Sequence, residues 1–503
     1  MKLPILQRYL GNILALVAGG SLPLAFSPFS FFPLTILSLA TLFLLWQYSS
    51  PSQAFWRGLF YGLGMFGVGI SWVNHSFYQF GEMPLVGAFV LTAAFVLLMA
   101  LYPALLGGLL NRFPVKNQVL RIIIILPASW TLAEWVRGWL FTGFPWLSIG
   151  YSQIDSPLNG FAPLLGVYGV SWVTALTASF IVYGYNKQKI WLMLLLISVL
   201  WSSGWLLSQI TWTQPIAKPI KVALVQGNIP QDFKWSTDFQ LPTIERYFTL
   251  SEQHRDVDLI IWPESAIPLF YHQVPELLDY LNVERQNYHT DFLIGIPVMS
   301  EDQQSYFNSV ISISADPGFY HKRHLVPFGE YIPFQALLGN LLKLLNVPMS
   351  EFSAGKAEQP NLYAAKQTIG ISICYEDAFG ELIRSSLPSA TLLVNVSNDA
   401  WFGDSIAPHQ HLEIARMRAL ESSRYLLRAT NTGISAIINA QGKIISQAPQ
   451  FKITTLQGIT QPQQGLTPYM RFGNYLIILF LSSLLIGNYL WIYLKDNHNS
   501  SSN

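Results

Sequence analysis

Ile369-Gly-Ile-Ser-Ile-Cys-Tyr-Glu-Asp377 is a short apolar run that ends in a thiol and two carboxylates. Asp258-Leu-Ile-Ile-Trp-Pro-Glu264 and Leu392-Leu-Val-Asn-Val-Ser-Asn-Asp399 follow the same pattern, with polar side chains placed where the apolar run stops. Apolar runs of this length are typical of buried β-strands. In open α/β sheets, ligands bind beyond the carboxyl ends of the strands. We therefore expect these polar side chains to gather at one edge of a sheet.

Similar runs recur through the region that surrounds these three stretches, and helical stretches separate several of them. The predicted strands are Val222–Val225, Leu259–Trp262, Phe292–Ile296, Ser309–Ile313, Ile369–Cys374, Leu392–Val396 and Ile434–Ile438. The predicted helices lie near residues 240–254, 274–288 and 408–427. Buried strands that alternate with helices indicate an α/β layered fold. We predict one such domain over residues 218–460.

The charge of the chain is distributed unevenly. Of 503 residues, 51% are hydrophobic and only 11% are charged, whereas soluble domains carry roughly 25% charged residues. Residues 1–207 hold nine Lys or Arg and three Asp or Glu, but residues 208–471 hold nineteen and twenty-four. The first part is suited to lipid and the second to water. A net charge of +1 provides no basic surface for nucleic acid, so we expect no nucleic-acid partner.

Apolar segments long enough to cross a bilayer, about 20 residues each, occur seven times before the polar region and once after it. They cover residues 9–26, 31–47, 55–73, 84–111, 119–140, 162–185, 190–208 and 474–494. We therefore predict a polytopic α-helical membrane bundle of eight spans. Residues 1–208 form its seven-span part, and residues 472–495 form the eighth transmembrane helix.

The positive residues of the short loops predict the orientation of the bundle, because Lys and Arg favour the cytoplasmic side. The opposite short loops contain only Arg137. On the side of the two termini lie Lys2, Arg8, Arg57, Arg112, Lys116, Arg121, Lys187, Lys189 and Lys495. Both termini are then cytoplasmic, and the region 208–471 is extracytoplasmic.

Several polar groups have an ordinary structural interpretation. Intramembrane charge marks transport paths, but the bundle offers little beyond Glu134 and Arg137, which we interpret as a structural pair near the outer end of the fifth span. A transporter is therefore unsupported. His409 and His411 lack the pattern of a zinc site. Four arginines near the helix 408–427 are interpreted as a solvated ion-pair face: Arg416, Arg418, Arg424 and Arg428.

The chain contains one cysteine, Cys374, so an internal disulfide or a Cys-rich zinc site is excluded. A thiolate is a nucleophile, a nearby carboxylate such as Glu264 can accept the thiol proton, and a lysine can stabilise an oxyanion. Lys322 lies in a polar run between Gly318 and Glu330. The backbone N–H of Tyr375 is a candidate second oxyanion donor. Taken singly, each residue is more ordinary: a buried small side chain, a solvated strand cap or a surface lysine.

Together these residues resemble a known family. Trp262-Pro-Glu264, Lys322 with its neighbours and Cys374-Tyr-Glu376 resemble the Glu-Lys-Cys triad of the carbon–nitrogen hydrolase (nitrilase) superfamily. Three further motifs and the order of spans resemble its membrane-bound branch, the apolipoprotein N-acyltransferases. These motifs are Gln226-Gly-Asn-Ile-Pro-Gln231, Pro327-Phe-Gly-Glu-Tyr-Ile-Pro333 and Asn398-Asp-Ala-Trp-Phe-Gly403. The resemblance implies an αββα sandwich for the extracytoplasmic domain.

The resemblance also implies a two-step reaction in the cytoplasmic (inner) membrane of a bacterium, with the catalytic domain on the periplasmic side. Cys374 would take an acyl chain from a phospholipid as a thioester and pass it to the N-terminal amine of a diacylglyceryl-cysteine lipoprotein. No metal or cofactor is implied, and we expect a monomer. Residues implied to support the triad or bind substrate are Trp235, Glu330, Tyr375 and Glu376. We add Trp401 as a substrate-binding candidate, although the residues alone leave it open between the core and a substrate-side loop.

Two questions stay open at this point. The alternative function is a membrane-anchored amidase of the same superfamily that acts on a small extracytoplasmic substrate, although such an enzyme needs neither eight spans nor an apolar arm. That arm is the stretch 331–346, whose leucines fall on one helical face. It is either a helix packed on the domain core or an arm at the bilayer surface that lets lipid reach the thiol. We hypothesise the arm, because the stretch directly follows Glu330.

Overall fold

The computed structural model describes residues 3–81, 83–113, 115, 117–331 and 352–501. It divides into two compact units. The first contains residues 1–71, 90–210 and 472–503, and the second contains residues 72–89 and 211–471. The apolar arm predicted at 331–346 lies, beyond its first residue, outside the described residues.

The first unit consists of helices, and helices occupy each of the eight segments predicted from hydropathy. Their bounds are Leu3–Ser21, Pro33–Gln47, Pro51–Gly69, Leu85–Arg112, Leu126–Arg137, Ala162–Lys187, Ile190–Ser208 and Tyr475–Ser501. Within the described part of the chain, four helical stretches are long and apolar enough to cross a membrane: Leu85–Arg112, Gln118–Arg137, Pro157–Lys187 and Ile190–Ser208. Three others are apolar but shorter: Tyr9–Ala25, Pro33–Gln47 and Tyr475–Leu490.

Small residues allow two helices of this unit to approach closely. A Cβ atom added to Gly19 would lie 2.0 Å from the carbonyl oxygen of Tyr61, and one added to Gly64 would lie 2.2 Å from that of Leu16. Helix pairs in membranes depend on such contacts because lipid supplies no hydrophobic force between helices. The glycines therefore fix the packing of Leu3–Ser21 against Pro51–Gly69.

Glu134 and Arg137 are buried in the first unit, where they bond to an irregular stretch of chain. One oxygen of Glu134 accepts hydrogen bonds from the indole of Trp130 at 3.1 Å and the backbone N–H of Ile149 at 3.0 Å. Arg137 donates to the carbonyl of Phe144 at 2.7 Å. The two charged side chains therefore satisfy backbone groups, which agrees with a structural interpretation.

The described residues of the second unit form two six-stranded sheets and one short pair of strands. The strands of the first sheet are β2 (Ile220–Gln226), β3 (Leu259–Ile261), β4 (Asp291–Met299), β5 (Tyr306–Ile313), β6 (Gly318–His321) and β13 (Thr454–Thr460). Their order across the sheet is β13-β2-β3-β4-β5-β6. The second has the order β12-β11-β10-β9-β8-β7, with β7 (Leu362–Ala364), β8 (Gln367–Ile373), β9 (Leu392–Ser397), β10 (Leu426–Thr430), β11 (Ala436–Ile438) and β12 (Ile444–Gln447). The short pair joins β1 (Gln214–Pro215) to β14 (Gln463–Gln464).

The central strands of both sheets are parallel. β2, β3 and β4 are parallel neighbours in the first sheet, and β8, β9 and β10 are parallel neighbours in the second. Each central set therefore presents its carboxyl ends along one edge. The longer helices of this unit are Thr237–Glu252, Pro275–Tyr288 and Ala407–Ser422, and its shorter ones include Val73–His75, Gly380–Ser385 and Pro468–Phe472.

Alternate residues of the strands enter different cores, as the two-residue period of a strand requires. Val222 and Leu224 belong to a core cluster that also contains Ile371 and Val394 of the second sheet. The intervening Ala223 belongs to another cluster, which the helices Thr237–Glu252 and Pro275–Tyr288 complete. The two sheets therefore share one apolar core, and the first sheet packs against helices through its other residues.

Two predicted element boundaries are wrong. The helix predicted over 408–427 ends at Ser422, because Ser423 adopts a left-handed conformation with φ +49°, and residues from Leu426 onward form strand β10. The strand predicted over Ile434–Ile438 begins only at Ala436. A fully buried strand has no alternation of polar residues, so its sequence does not differ from a buried helical segment.

Candidate active site

Glu264 follows β3 and is buried, whereas a carboxylate after a strand is ordinarily a solvated cap. Its Oε1 accepts a hydrogen bond of 2.7 Å from the side chain of Asn308 and lies 3.5 Å from the ammonium of Lys322. Its Oε2 accepts a 2.7 Å hydrogen bond from the backbone N–H of Asn398, at the carboxyl end of β9. The prediction that polar residues at the ends of strands converge is therefore confirmed for these two residues.

Lys322 follows directly after β6, and its side chain is only 1% exposed. Its Nζ lies 2.8 Å from Oε1 of Glu330 in addition to its contact with Glu264. Burial alone would lower the pKa of Lys322, but the carboxylates of Glu330 and Glu264 outweigh burial and hold its pKa above the usual range. Lys322 is therefore an ammonium group whose charged form is favoured by the two carboxylates that it contacts.

The sequence predicts Cys374 as the last residue of a strand. In the structure, strand β8 ends at Ile373 and Cys374 begins the turn that follows it. Its backbone has φ +53°, in the left-handed region that non-glycine residues rarely adopt. Burial raises the pKa of the thiol, the carboxylate of Glu264 raises it further, and the ammonium of Lys322 lowers it. The pKa is raised overall, so the thiol is protonated at rest and needs a base to become a nucleophile.

Glu376 connects the turn that carries Cys374 to the segment that carries Lys322. Its carboxylate accepts hydrogen bonds from the backbone N–H of Ile373 at 2.8 Å and of Arg323 at 2.7 Å. The hydroxyl of Tyr320 donates to it at 3.0 Å. Burial raises the pKa of Glu376 although these backbone donors oppose the shift. Glu376 thus joins the two segments that carry Cys374 and Lys322.

Two residues of this centre were not predicted from the sequence. Asn308, in β5, bridges the two carboxylates, since its amide nitrogen lies 2.7 Å from Glu264 and 3.2 Å from Glu330. Lys234 is buried, and its Nζ donates a 3.0 Å hydrogen bond to the carbonyl of Glu264. Asn308 lies inside a strand and Lys234 lies eight residues beyond the end of β2, so the strand-end pattern could not identify them.

A buried network of ion pairs lies next to the backbone of Cys374. His411 contacts Asp377 at 2.9 Å through Nε2 and Asp399 at 3.0 Å through Nδ1. Arg428 bonds to the same two carboxylates at 3.3 and 3.0 Å. The carbonyl oxygen of Cys374 lies 3.3 Å from His411 Nε2. The network therefore supports the backbone of the proposed nucleophile from the side of β9 and β10.

The solvated face predicted for the four arginines is wrong for three of them. Arg418, Arg424 and Arg428 are fully buried or nearly so. Arg418 pairs with Glu421 at 3.0 Å, and Arg424 donates to the carbonyl of Ala390 at 3.0 Å. Because β10 packs beside β9, this region lies inside the fold, where charged groups need partners.

The substrate candidates lie at the surface or partly buried. Trp235 is 47% exposed and Trp401 is 37% exposed. Tyr375 is half-buried and packs edge-on against Phe379, with ring centroids 5.1 Å apart. Within the described ranges, no group of three or more His, Cys, Asp or Glu side chains is arranged to hold a metal ion.

A segment from early in the chain, residues 72–80, belongs to this unit and contacts the loop of Trp401. The hydroxyl of Ser76 donates to the carbonyl of Trp401 at 2.7 Å, and the rings of Phe80 and Trp401 have centroids 5.1 Å apart. The indole of Trp72 donates to Gln410 at 3.1 Å. The segment therefore buttresses the loop that follows β9.

The sheets and the site define the class of the second unit as a carbon–nitrogen hydrolase, and the model of that family matches residues 221–464. Residues 18–180 match a second family model, the apolipoprotein N-acyltransferase N-terminal domain. The chain belongs to the apolipoprotein N-acyltransferase family, as its relatives show.

Curated relatives of that family match nearly the whole chain. The apolipoprotein N-acyltransferase of Methylococcus capsulatus is 45% identical over 92% of this chain and 92% of its own. That of Nitrosomonas europaea is 42% identical over 96% of this chain and 97% of its own. That of Coxiella burnetii is 41% identical over 94% of this chain and 99% of its own. The predicted resemblance to this family is thereby confirmed.

Proposed function

We propose that this enzyme transfers a fatty acyl chain from a membrane phospholipid, through a thioester on Cys374, to the N-terminal amine of a diacylglyceryl-cysteine lipoprotein. Membership of the apolipoprotein N-acyltransferase family makes the chain an N-acyltransferase of the carbon–nitrogen hydrolase superfamily. The observation that carries the specific chemistry is a buried centre in which Glu264 and Lys322 lie 3.5 Å apart and both interact electrostatically with the only thiol of the chain.

In the first half-reaction, Glu264 accepts the proton of Cys374 and the sulfur attacks the ester carbonyl of the phospholipid. Lys322 stabilises the thiolate and then the tetrahedral oxyanion, because a fixed charge in a site sheltered from water acts strongly on developing charge. The ester C–O bond breaks, and protonated Glu264 returns its proton to the departing oxygen. A thioester and a lysophospholipid result.

In the second half-reaction, the neutral amine of the lipoprotein attacks the thioester carbonyl. Glu264 accepts a proton from the amine as the C–N bond forms, and the C–S bond breaks to release the thiolate of Cys374. The sulfur then regains the proton from Glu264. The enzyme returns to its starting state, and the alternation of substrates is a ping-pong sequence.

We also propose the number of membrane spans, the domain bounds and the membrane orientation of this enzyme. We infer eight spans, with a seven-span bundle over 1–208, the catalytic domain over 218–460 and the last transmembrane helix over 472–495. The core shared by both sheets supports an αββα sandwich. The distribution of Lys and Arg supports cytoplasmic termini and a periplasmic catalytic domain in the bacterial inner membrane.

The supporting residues have separate proposed roles. Glu330 fixes Lys322 through its 2.8 Å contact, and Glu376 fixes the turn of the nucleophile. Trp235 and Trp401, both partly exposed aromatic side chains, offer apolar contact to substrate. Tyr375 follows Cys374, and its backbone N–H supplies the second hydrogen bond to the oxyanion, in addition to Lys322. We propose that the enzyme acts as a monomer without metal or cofactor.

The amidase alternative is not favoured. An enzyme that hydrolyses a small substrate has no use for the N-acyltransferase N-terminal domain, which residues 18–180 match. A hydrolase must also admit water in the second step, whereas a transferase has to exclude it in favour of the amine.

The proposal is tested with purified enzyme, a phospholipid and a synthetic diacylglyceryl lipopeptide, by following the mass of the lipopeptide. Cys374→Ala should abolish N-acylation, and Cys374→Ser should nearly abolish it, since a hydroxyl is a far weaker nucleophile without a stronger base. Ser389→Ala, at an exposed turn of the same domain, is the matched control. Persistent N-acylation by Cys374→Ala would refute the assignment of the nucleophile.

A further inference from the structure

Lys234 is a buried ammonium group that the mechanism above does not use. It is 3% exposed and lies in the turn after β2. The turn is fixed by its neighbours, because Gln231 accepts a 2.7 Å hydrogen bond from the side chain of Asn398. Asn398 is the residue whose backbone N–H donates to Glu264. The position of Lys234 is therefore tied to the same loop that orients the general base.

The charges around Lys234 belong to the acyl-transfer centre. Its Nζ donates to the carbonyl of Glu264 at 3.0 Å, and both the carboxylate of Glu264 and the sulfur of Cys374 interact with it electrostatically. Such coupling is reciprocal, so a cationic Lys234 also acts on the thiolate, beside the larger effects of burial, Glu264 and Lys322 on the pKa of the thiol. Lys234 consequently favours the charged form of the nucleophile.

The balance of charge gives this coupling a function. Lys322 alone faces two carboxylates, Glu264 and Glu330, so these three groups carry a net negative charge before the thiolate forms. On the other side, Asp377 and Asp399 are matched by Arg428 and His411. Glu376 also lies near Lys322, but burial raises its pKa and so disfavours its charged form. Lys234, whose Nζ bonds to the carbonyl of Glu264, is a further buried cation that can offset the second carboxylate.

We propose that Lys234 is a positioning residue of the reaction, a second cation that neutralises the Glu264–Lys322–Glu330 cluster and thereby promotes formation of the Cys374 thiolate. The proposal rests on the proposed function only in treating Cys374 as the nucleophile. A purely structural role, in which Lys234 only holds the carbonyl of Glu264, would predict a less stable protein with an unaltered thiol.

The pH dependence of the thiol separates these two roles. Burial lowers the pKa of Lys234 to about 8, although Glu264 and Cys374 oppose the shift. Below that pH the rate at which Cys374 is alkylated should rise tenfold for each pH unit. The thiol is mostly protonated there, so the fraction of reactive thiolate increases tenfold per unit. Above pH 8, Lys234 loses its charge and its support of the thiolate, so the rise should become shallower.

The experiment measures the rate at which iodoacetamide alkylates the full-length enzyme in detergent between pH 7 and 10. Cys374 is the only thiol, so Cys374→Ala supplies the blank. Lys234→Gln keeps a donor for the carbonyl of Glu264 but removes the charge, and Lys234→Arg keeps the charge at every pH. Lys221→Met, at an exposed lysine, is the matched control.

At pH 7.5, Lys234→Gln should be alkylated about tenfold more slowly than the native enzyme, since an opposite charge within a few ångströms strongly favours the charged form. Lys234→Arg should stay within about threefold and lack the break near pH 8. An unchanged profile in folded Lys234→Gln, or in Lys234→Met should the amide variant fail to fold, would overturn the proposal. Alkylation requires neither phospholipid nor lipoprotein, so a failure of acyl transfer would leave this result intact.

Discussion

Asn308 is the residue whose substitution most directly tests how the two carboxylates of the site coexist. Its amide donates to both Glu264 and Glu330. Asn308→Asp keeps the shape but replaces the shared donor with a third carboxylate, which repels the other two. Because hydrogen bonds to charged groups contribute about 1.5–3 kcal/mol, we expect acylation of Cys374 to slow by roughly 10- to 100-fold.

The measurement is the rate of acyl-enzyme formation from phospholipid, followed by intact mass. Asn282→Asp, at an exposed position of the helix Pro275–Tyr288, makes the same chemical change away from the site and should leave the rate unchanged. A native rate in Asn308→Asp would show that the amide bridge does not contribute to the reaction.

His411 should make the stability of the protein depend on pH. Burial and Arg428 lower its pKa, but Asp377 and Asp399 outweigh them and raise it to about 9. Since this folded value exceeds the ordinary 6.5, the ion pairs stabilise the fold fully below about pH 6.5 and lose that contribution as the pH rises through 9. The loss is on the order of a few kcal/mol.

Thermal unfolding of the purified enzyme at pH values from 6 to 9.5 measures this effect. The unfolding temperature of the native enzyme should fall toward pH 9.5. His411→Gln should unfold at a lower temperature at pH 6 and show a much flatter dependence. Equal slopes in both proteins would mean that His411 is not charged in the folded state.

At the residue scale, the sequence predicts the placement of Glu264 and Cys374 at strand ends better than the placement of the residues around them. Glu264 and Cys374 end apolar runs, so the geometry of parallel strands brings them together. Asn308 lies within a strand and Lys234 within a turn, and only the pairing of β5 with β6 and the contacts of Asn398 bring them to the site. Such long-range contacts leave no local pattern in a single sequence.

At the scale of elements, the loop Asp399–Gly403 depends on the segment 72–80. Gly403 has φ +56°, and a Cβ added there would lie 2.5 Å from Nε2 of His75. Gly403→Ala therefore combines a strained backbone, about 1 kcal/mol, with displacement of the loop that follows Asn398. We expect N-acylation to fall by more than the loss of stability explains.

The matched control is Gly442→Ala, which places alanine at φ +72° in a turn between β11 and β12. Both variants are compared by unfolding temperature and by the rate of lipopeptide acylation. Gly442→Ala should lose stability but keep its activity. Equal activities in the two variants would separate the segment 72–80 from the function of the loop.

Element boundaries show where the sequence was insufficient. The helix Ala407–Ser422 and strand β10 form one apolar stretch with interspersed arginines, which is also the pattern of an amphipathic helix with a charged face. The burial of Arg424 and Arg428 depends on β10 lying beside β9, and hence on residues more than thirty positions away. Local patterns place the central strands correctly but do not distinguish a buried ion network from a solvated face.

At the scale of the whole molecule, the single cysteine allows a direct test of membrane orientation. In a Cys374→Ala background, Gln441→Cys places the only thiol in an exposed turn of the catalytic domain, and Lys189→Cys places it between the helices Ala162–Lys187 and Ile190–Ser208. A maleimide that crosses the outer but not the inner membrane should label Gln441→Cys in intact cells. Lys189→Cys should react only after lysis, and the reverse pattern would contradict a periplasmic domain.

The most direct test of the central claim is the intact mass of the purified enzyme after incubation with a phospholipid of defined acyl chains, before and after addition of a diacylglyceryl lipopeptide. We predict a gain of one acyl group, absent in Cys374→Ala and sensitive to hydroxylamine as a thioester is. Addition of the lipopeptide should return the enzyme to its original mass and increase the lipopeptide by the same acyl group. An enzyme that acylates the lipopeptide without ever carrying the acyl chain on Cys374 would contradict the account.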